Sequence, residues 1–174
     1  MIDRFALCLS FTLGAEGGFV SNPRDPGGAT FEGITLASLR DWLDDPDATV
    51  ADLEGLHPEN VKRFYRDRYW DVARCGWMPP GVDLMVFDHA VNAGDDCAAV
   101  LLQRVLAVDD NGRVGPQTLG AIKGRDVAAL IEQLRAAQEA SYRCSRYFVV
   151  FGHGWMKRLV ARHARALAMA KASV

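Results

Sequence analysis

Between Gly17 and Ile34 the chain places four glycines and two prolines ahead of Gly33, whereas helical spacing of apolar residues dominates the rest. That density of glycine and proline breaks any continuous helix, so the segment is loop with at most a small hairpin near Phe31 to Ile34. The remaining pattern predicts a first helix over residues 2 to 14. Thr35 is placed to cap a helix through Trp42, because its hydroxyl can accept from a free first-turn amide. Pro58 suits the first turn of a helix to about Tyr69, and Gly94 stops an apolar helix over Val82 to Ala93. A helix over Asp96 to Ala107, the turn DDNGRVGPQT and a short helix to Lys123 follow. Asp126 caps a long helix to about Phe151, Gly152 and Gly154 punctuate it, and a basic helix runs from Trp155 to Ala172. The expected class is mainly α with a small loop or hairpin lobe.

The length, 174 residues, is about one domain's worth, and 49% hydrophobic with 24% charged residues is a globular balance. No apolar run approaches the roughly 20 residues of a transmembrane helix. Phe5 to Ala15 follows Arg4 as a signal-peptide core would, but Asp3 spoils the basic flank, and Cys8, Ser10 and Thr12 interrupt it. It reads as a retained amphipathic helix. Cys8, Cys75, Cys97 and Cys144 lie far apart and the four histidines form no His-Glu-x-x-His pattern, so no metal and no cofactor are expected. The thiols are expected reduced and mostly buried.

Charge is divided unevenly. Residues 1 to 95 hold 8 Lys and Arg against 16 Asp and Glu, and residues 96 to 174 hold 12 against 6. Such polarity suits contact with an anionic polymer on the basic side, or two faces that attract each other. Nucleic acid is not an expected partner, because no basic run is interleaved with aromatics on a recognisable fold. Lys157, Arg158, Arg162, Arg165 and Lys171 read as a solvated face of the last helix, with attraction to anionic cell-wall polymer as the second reading.

The informative stretch is EGGFVSNPRDPGGATFEGIT, residues 16 to 35. A carboxylate at a helix C-terminus meets the negative end of the helix dipole, which raises its pKa towards that of a general acid working near neutral pH. Glu16 is so placed, and Asp25 follows in an Arg-Asp-Pro-Gly-Gly loop. One carboxyl kept protonated beside one kept ionised is the pairing that glycoside hydrolysis uses. Taken alone, the stretch also reads as a helix stop followed by an Asx-type turn.

Together with YRDRYWD (65 to 71), FDHAVNAG (87 to 94), LLQRVLAV, GRVGPQTLGAI and FGHGWMKR (151 to 158), in that order, the stretch resembles glycoside hydrolase family 108. These are N-acetylmuramidases of phage lysis cassettes and bacterial export systems. The resemblance implies a lysozyme-like α fold, with residues 1 to 95 as catalytic region. It implies that residues 96 to 174 form a helical peptidoglycan-binding region, whose Gly-x-x-Gly-Pro-x-Thr turn is Gly112, Gly115, Pro116 and Thr118. The implied activity is cleavage between N-acetylmuramic acid and N-acetylglucosamine. The family's catalytic Glu falls on Glu16, and similarity to the Glu, Asp and Thr set of bacteriophage lysozymes nominates Asp25 and Thr30. Where the family often has Asp this chain has Ser21 or Asn22, which leaves Asp25 as the loop's carboxylate before Glu32.

Asn92 and Asp88 share one helix face. Asn92 either binds a substrate N-acetyl group or satisfies buried backbone groups, and Asp88 is expected to do the latter. His89 is expected to be packed and satisfied. Among Tyr65, Tyr69, Trp70 and Trp77, one is expected to stack on a sugar ring and the others to pack the core; Tyr69 is the candidate. The glycan strands of peptidoglycan are the expected partner, reached through a holin pore, an export machinery or cell lysis. Alternatives are a lytic transglycosylase, which releases an anhydro sugar, and a non-catalytic wall-binding module.

Overall fold

A computed structural model describes residues 3–15, 20–21 and 29–172. The fold is mainly α, as expected for a lysozyme-like chain. Helices α1 (Arg4–Ala15), α2 (Leu36–Leu43), α3 (Val50–Glu54), α4 (Pro58–Tyr65), α5 (Val82–Ala93), α6 (Asp95–Leu106), α7 (Pro116–Ile122), α8 (Val127–Cys144) and α9 (Phe148–Lys171) accompany three short strands, β1 (Val20–Ser21), β2 (Ala29–Phe31) and β3 (Ile34–Thr35). Packing divides the chain into two compact units. One comprises residues 1–8 with 69–174 and the other residues 9–68.

The smaller unit holds the sheet, in the order β1, β2, β3 and antiparallel throughout. Phe31 pairs with Ile34 across Glu32 and Gly33, whose φ values of 49° and 76° make the tight turn that matches strand twist. Tyr65 at the end of α4 donates its hydroxyl to the Glu32 carbonyl at 2.6 Å, which ties the turn to that helix. Local chemistry starts each helix of this unit. Thr35 Oγ1 accepts from the Ser38 amide at 3.0 Å at the head of α2, and Thr49 and Asp52 form a reciprocal capping box on α3. Pro58 opens α4, which continues as a π-helical turn over Arg66–Trp70.

In the larger unit α5 is the central helix, buried from Val82 to Ala90 and packed against α6, α8 and α9. An apolar helix of this kind needs neighbours on every side, and the aromatic cluster of Phe5, Trp70 and Phe87 supplies part of them, with ring centroids 5.3 to 5.9 Å apart. Asp83 is buried in the first turn of α5. Its Oδ1 accepts from the Gly81 and Leu84 amides, both at 2.8 Å, and its Oδ2 meets Arg4 Nη1 at 2.9 Å. Arg4 also donates to the carbonyls of Met78 and Gly76, so one guanidinium ties the start of α1 to the entry of α5. Burial outweighs that partner and pushes the Asp83 carboxyl up to about 6.

Two expectations change. Gly152 and Gly154 do not punctuate a helix; the break is Ser145–Tyr147, and α9 runs through both glycines. Gly152 is buried, and a Cβ there would lie 2.7 Å from the Phe148 ring, so the glycine serves close packing inside the helix. The thiols also differ from one another: Cys8 and Cys75 are buried, whereas Cys97 and Cys144 are exposed and line one apolar groove between α6 and α8.

Candidate active site

Glu16 and Asp25 lie outside the described residues; Glu16 directly follows the last residue of α1. Thr30 is the middle residue of β2, paired in register with Val20 on one side and Thr35 on the other, and is half-buried. The glycine-rich segment that contains Asp25 lies in sequence between β1 and β2. Tyr69 sits in the π-helical turn and is half-buried. Of the other nominated aromatics, Tyr65 and Trp70 are core residues, and Trp77 is 81% exposed and presents its ring to solvent.

Asn92, in the last turn of α5, belongs to a polar cluster that sequence reasoning only half anticipated. Its Nδ2 donates to the Tyr142 hydroxyl of α8 at 2.8 Å, and Arg162 Nη2 of α9 donates to the same oxygen at 3.3 Å. A phenol oxygen with two incoming donors directs its own proton elsewhere, here to His89 Nδ1 at 3.1 Å. His89 is therefore the tautomer protonated on Nε2. Burial first, then the nearby Arg162 cation, lowers its pKa to about 3, which keeps the ring neutral. Among the described residues, His89 Nε2 is buried with no hydrogen-bond partner, so the histidine is packed as expected and half satisfied.

Asp88 holds two arginine side chains. Arg162 Nε meets its Oδ2 at 2.6 Å, and Arg158 reaches Oδ1 at 2.8 Å and Oδ2 at 3.1 Å. Arg162 further donates to Gln138 Oε1 at 2.7 Å, and Gln138 donates to the Met85 carbonyl at 2.8 Å. The expectation that Arg158 and Arg162 form a solvated face fails, because Arg162 is fully buried and Arg158 nearly so. Buried arginine survives only when its fork is filled, and here α5 and α8 fill it.

The Gly112–Thr118 turn is held from within. Gln103 of α6 donates to Asn111 Oδ1 and the Arg113 carbonyl, both at 3.0 Å, and to Thr118 Oγ1 at 3.3 Å, while its own oxygen accepts from the Gly112 amide. Gly112 adopts φ 76°, which a side chain would resist.

The family model for Glycosyl hydrolase 108 matches residues 9–94, a span that includes Glu16, Asp25, Thr30, Tyr69 and Asn92. A similar solved structure is that of Brucella abortus SagA, 35% identical, with a TM-score of 0.88 and 95% of each chain covered. The chain belongs to the glycosyl hydrolase 108 family. A search of curated proteins finds no match. As a family 108 hydrolase it degrades peptidoglycan by glycoside hydrolysis. Among the described residues no helix is long and apolar enough to cross a membrane.

Proposed function

We propose that this family 108 hydrolase is an N-acetylmuramidase that cuts between N-acetylmuramic acid and N-acetylglucosamine, with Glu16 as the general acid. Glu16 protonates the glycosidic oxygen as the sugar acquires oxocarbenium character. Asp25 activates the attacking water from the opposite face, Thr30 helps to hold that water, and the anomeric centre inverts. What carries the reading is the family match, whose span runs from before Glu16 to the end of α5.

Asn92 and Tyr69 bind the sugars. The Asn92 amide nitrogen donates to Tyr142, and its carbonyl oxygen serves as an acceptor for an N-acetyl N–H. Tyr69 offers an aromatic face. Residues 96–174 attract the anionic wall through exposed cations such as Lys157, Arg165 and Lys171. The enzyme meets its substrate after passage through a holin pore or an export machinery.

Mass spectrometry of fragments released from purified peptidoglycan tests this. A muramidase leaves reducing N-acetylmuramic acid ends. Anhydro ends would make the enzyme a lytic transglycosylase, and intact glycan would leave a wall-binding module.

A further inference from the structure

Large apolar side chains exposed among the described residues are mostly scattered, but Tyr147, Val149, Val150 and Phe151 fall within five positions at the head of α9. Val149 is 95% exposed, Val150 70% and Phe151 54%. Three successive helical residues span about 200° of arc, so the apolar surface wraps this end of the helix instead of forming one stripe. Beside it stand two arginines. Arg146 stacks over Tyr147 at 4.6 Å from the ring centroid, and Arg143 lies over Phe148 at 5.5 Å. Arg143 is paired with Glu139 at 2.8 Å, whereas Arg146 donates to the Tyr147 hydroxyl at 2.6 Å, and from Ala140 onward the sequence contains no Asp or Glu.

We propose that the amino-terminal end of α9 docks on the surface of an anionic lipid bilayer. A protein groove takes a stripe of side chains at spacings of three and four, and it would leave most of a wrapped surface exposed. A lipid interface wets a helix end from all sides, accepts Tyr and Phe at headgroup level and offers phosphates to Arg146. A second copy of the chain fits less well. A stable interface needs roughly 800 Å² and 20 or more residues per partner. A two-fold contact would also bring Arg146 against its own copy. Glycan offers hydroxyls, which Val149 and Val150 cannot bind. The site goes beyond the proposed muramidase reaction and uses none of its residues.

The test is cosedimentation of the full chain with large unilamellar vesicles, either phosphatidylglycerol with phosphatidylethanolamine or phosphatidylcholine alone. The expected result is preferential binding to the anionic vesicles, weakened by salt. The double variant Val149→Ser, Val150→Ser should lower the partition about tenfold or more, and Arg146→Glu should lower it several-fold and flatten the salt dependence. Both positions 149 and 150 face solvent, so circular dichroism and thermal unfolding should be unchanged. Equal binding to both vesicle types, or an undiminished double variant, overturns the proposal. So does a dimer in sedimentation equilibrium, or cosedimentation with purified peptidoglycan, that the double variant abolishes. Glycan cleavage is not the readout, so an error in the catalytic assignment leaves the outcome interpretable.

Discussion

Asp88 and Arg162, 74 positions apart in sequence, meet at 2.6 Å with both side chains wholly excluded from solvent. The pair joins α5 to α9 inside the larger unit. Removing one partner of such a pair leaves the other charged and buried, so Asp88→Ala should cost about 3–5 kcal/mol of stability in urea unfolding. Reversing Arg158 and Arg162 to Glu should abolish folding. Arg165→Glu, on the exposed side of the same helix, should stay within about 0.5 kcal/mol of the parent. Parental stability of Asp88→Ala would mean that the pair does not hold the helices.

His89 makes stability depend on pH. Its pKa is about 3 in the folded chain and about 6.5 when unfolded, so between those values the unfolded chain binds the extra proton. Its contribution is present above pH 6.5 and is lost as pH falls, by roughly 1 kcal/mol per pH unit. Asp83 works in the opposite direction, because a raised carboxyl pKa favours the folded chain below about pH 6. The measurement is therefore a difference: the unfolding free energy of wild type minus that of His89→Gln should fall between pH 7 and pH 5. A flat difference would place a charged histidine in the core.

Gly81 has φ 91°, and a Cβ there would sit 2.4 Å from the Ala166 carbonyl oxygen. Gly81→Ala should lose about 2–4 kcal/mol. Gly120, inside α7 with open space around it, is the counterpart: Gly120→Ala should gain about 0.5–1 kcal/mol. Thermal unfolding of the two variants should move in opposite directions.

For the proposed chemistry, Glu16→Gln should lower glycan cleavage about a hundredfold or more with unchanged folding, because the amide keeps the shape and cannot donate the proton. Asp25→Asn should also lose most activity. Turnover of Glu16→Gln near the wild-type rate would show that another group protonates the leaving oxygen.

Helix starts and stops were legible because their causes are local. Thr35, Pro58, Gly94 and Asp126 act within one turn of their own positions. Gly152 misled because a glycine costs a helix only about 1 kcal/mol, and contact with Phe148 decides its place. The burial of Arg162 was not legible. A basic residue spaced four from Arg158 looks the same on a wet face as in a core, and its partners Asp88 and Gln138 lie on other helices. Tyr142 carried no motif at all, although three side chains converge on its hydroxyl. Glu16 and Asp25 are nominated only through ordered motifs, since spacing alone does not separate a catalytic acid from a helix stop.

The hydrogen bond from Arg4 to Asp83 spans 79 positions, and Phe5 and Cys8 are buried beside it in the same unit. During synthesis the first helix therefore emerges well before its counterpart exists. At about 5–20 residues per second the delay is roughly 4–16 s. Through that interval an apolar segment stands uncovered at the ribosome, so nascent-chain protection by a chaperone should govern how much active enzyme a cell recovers.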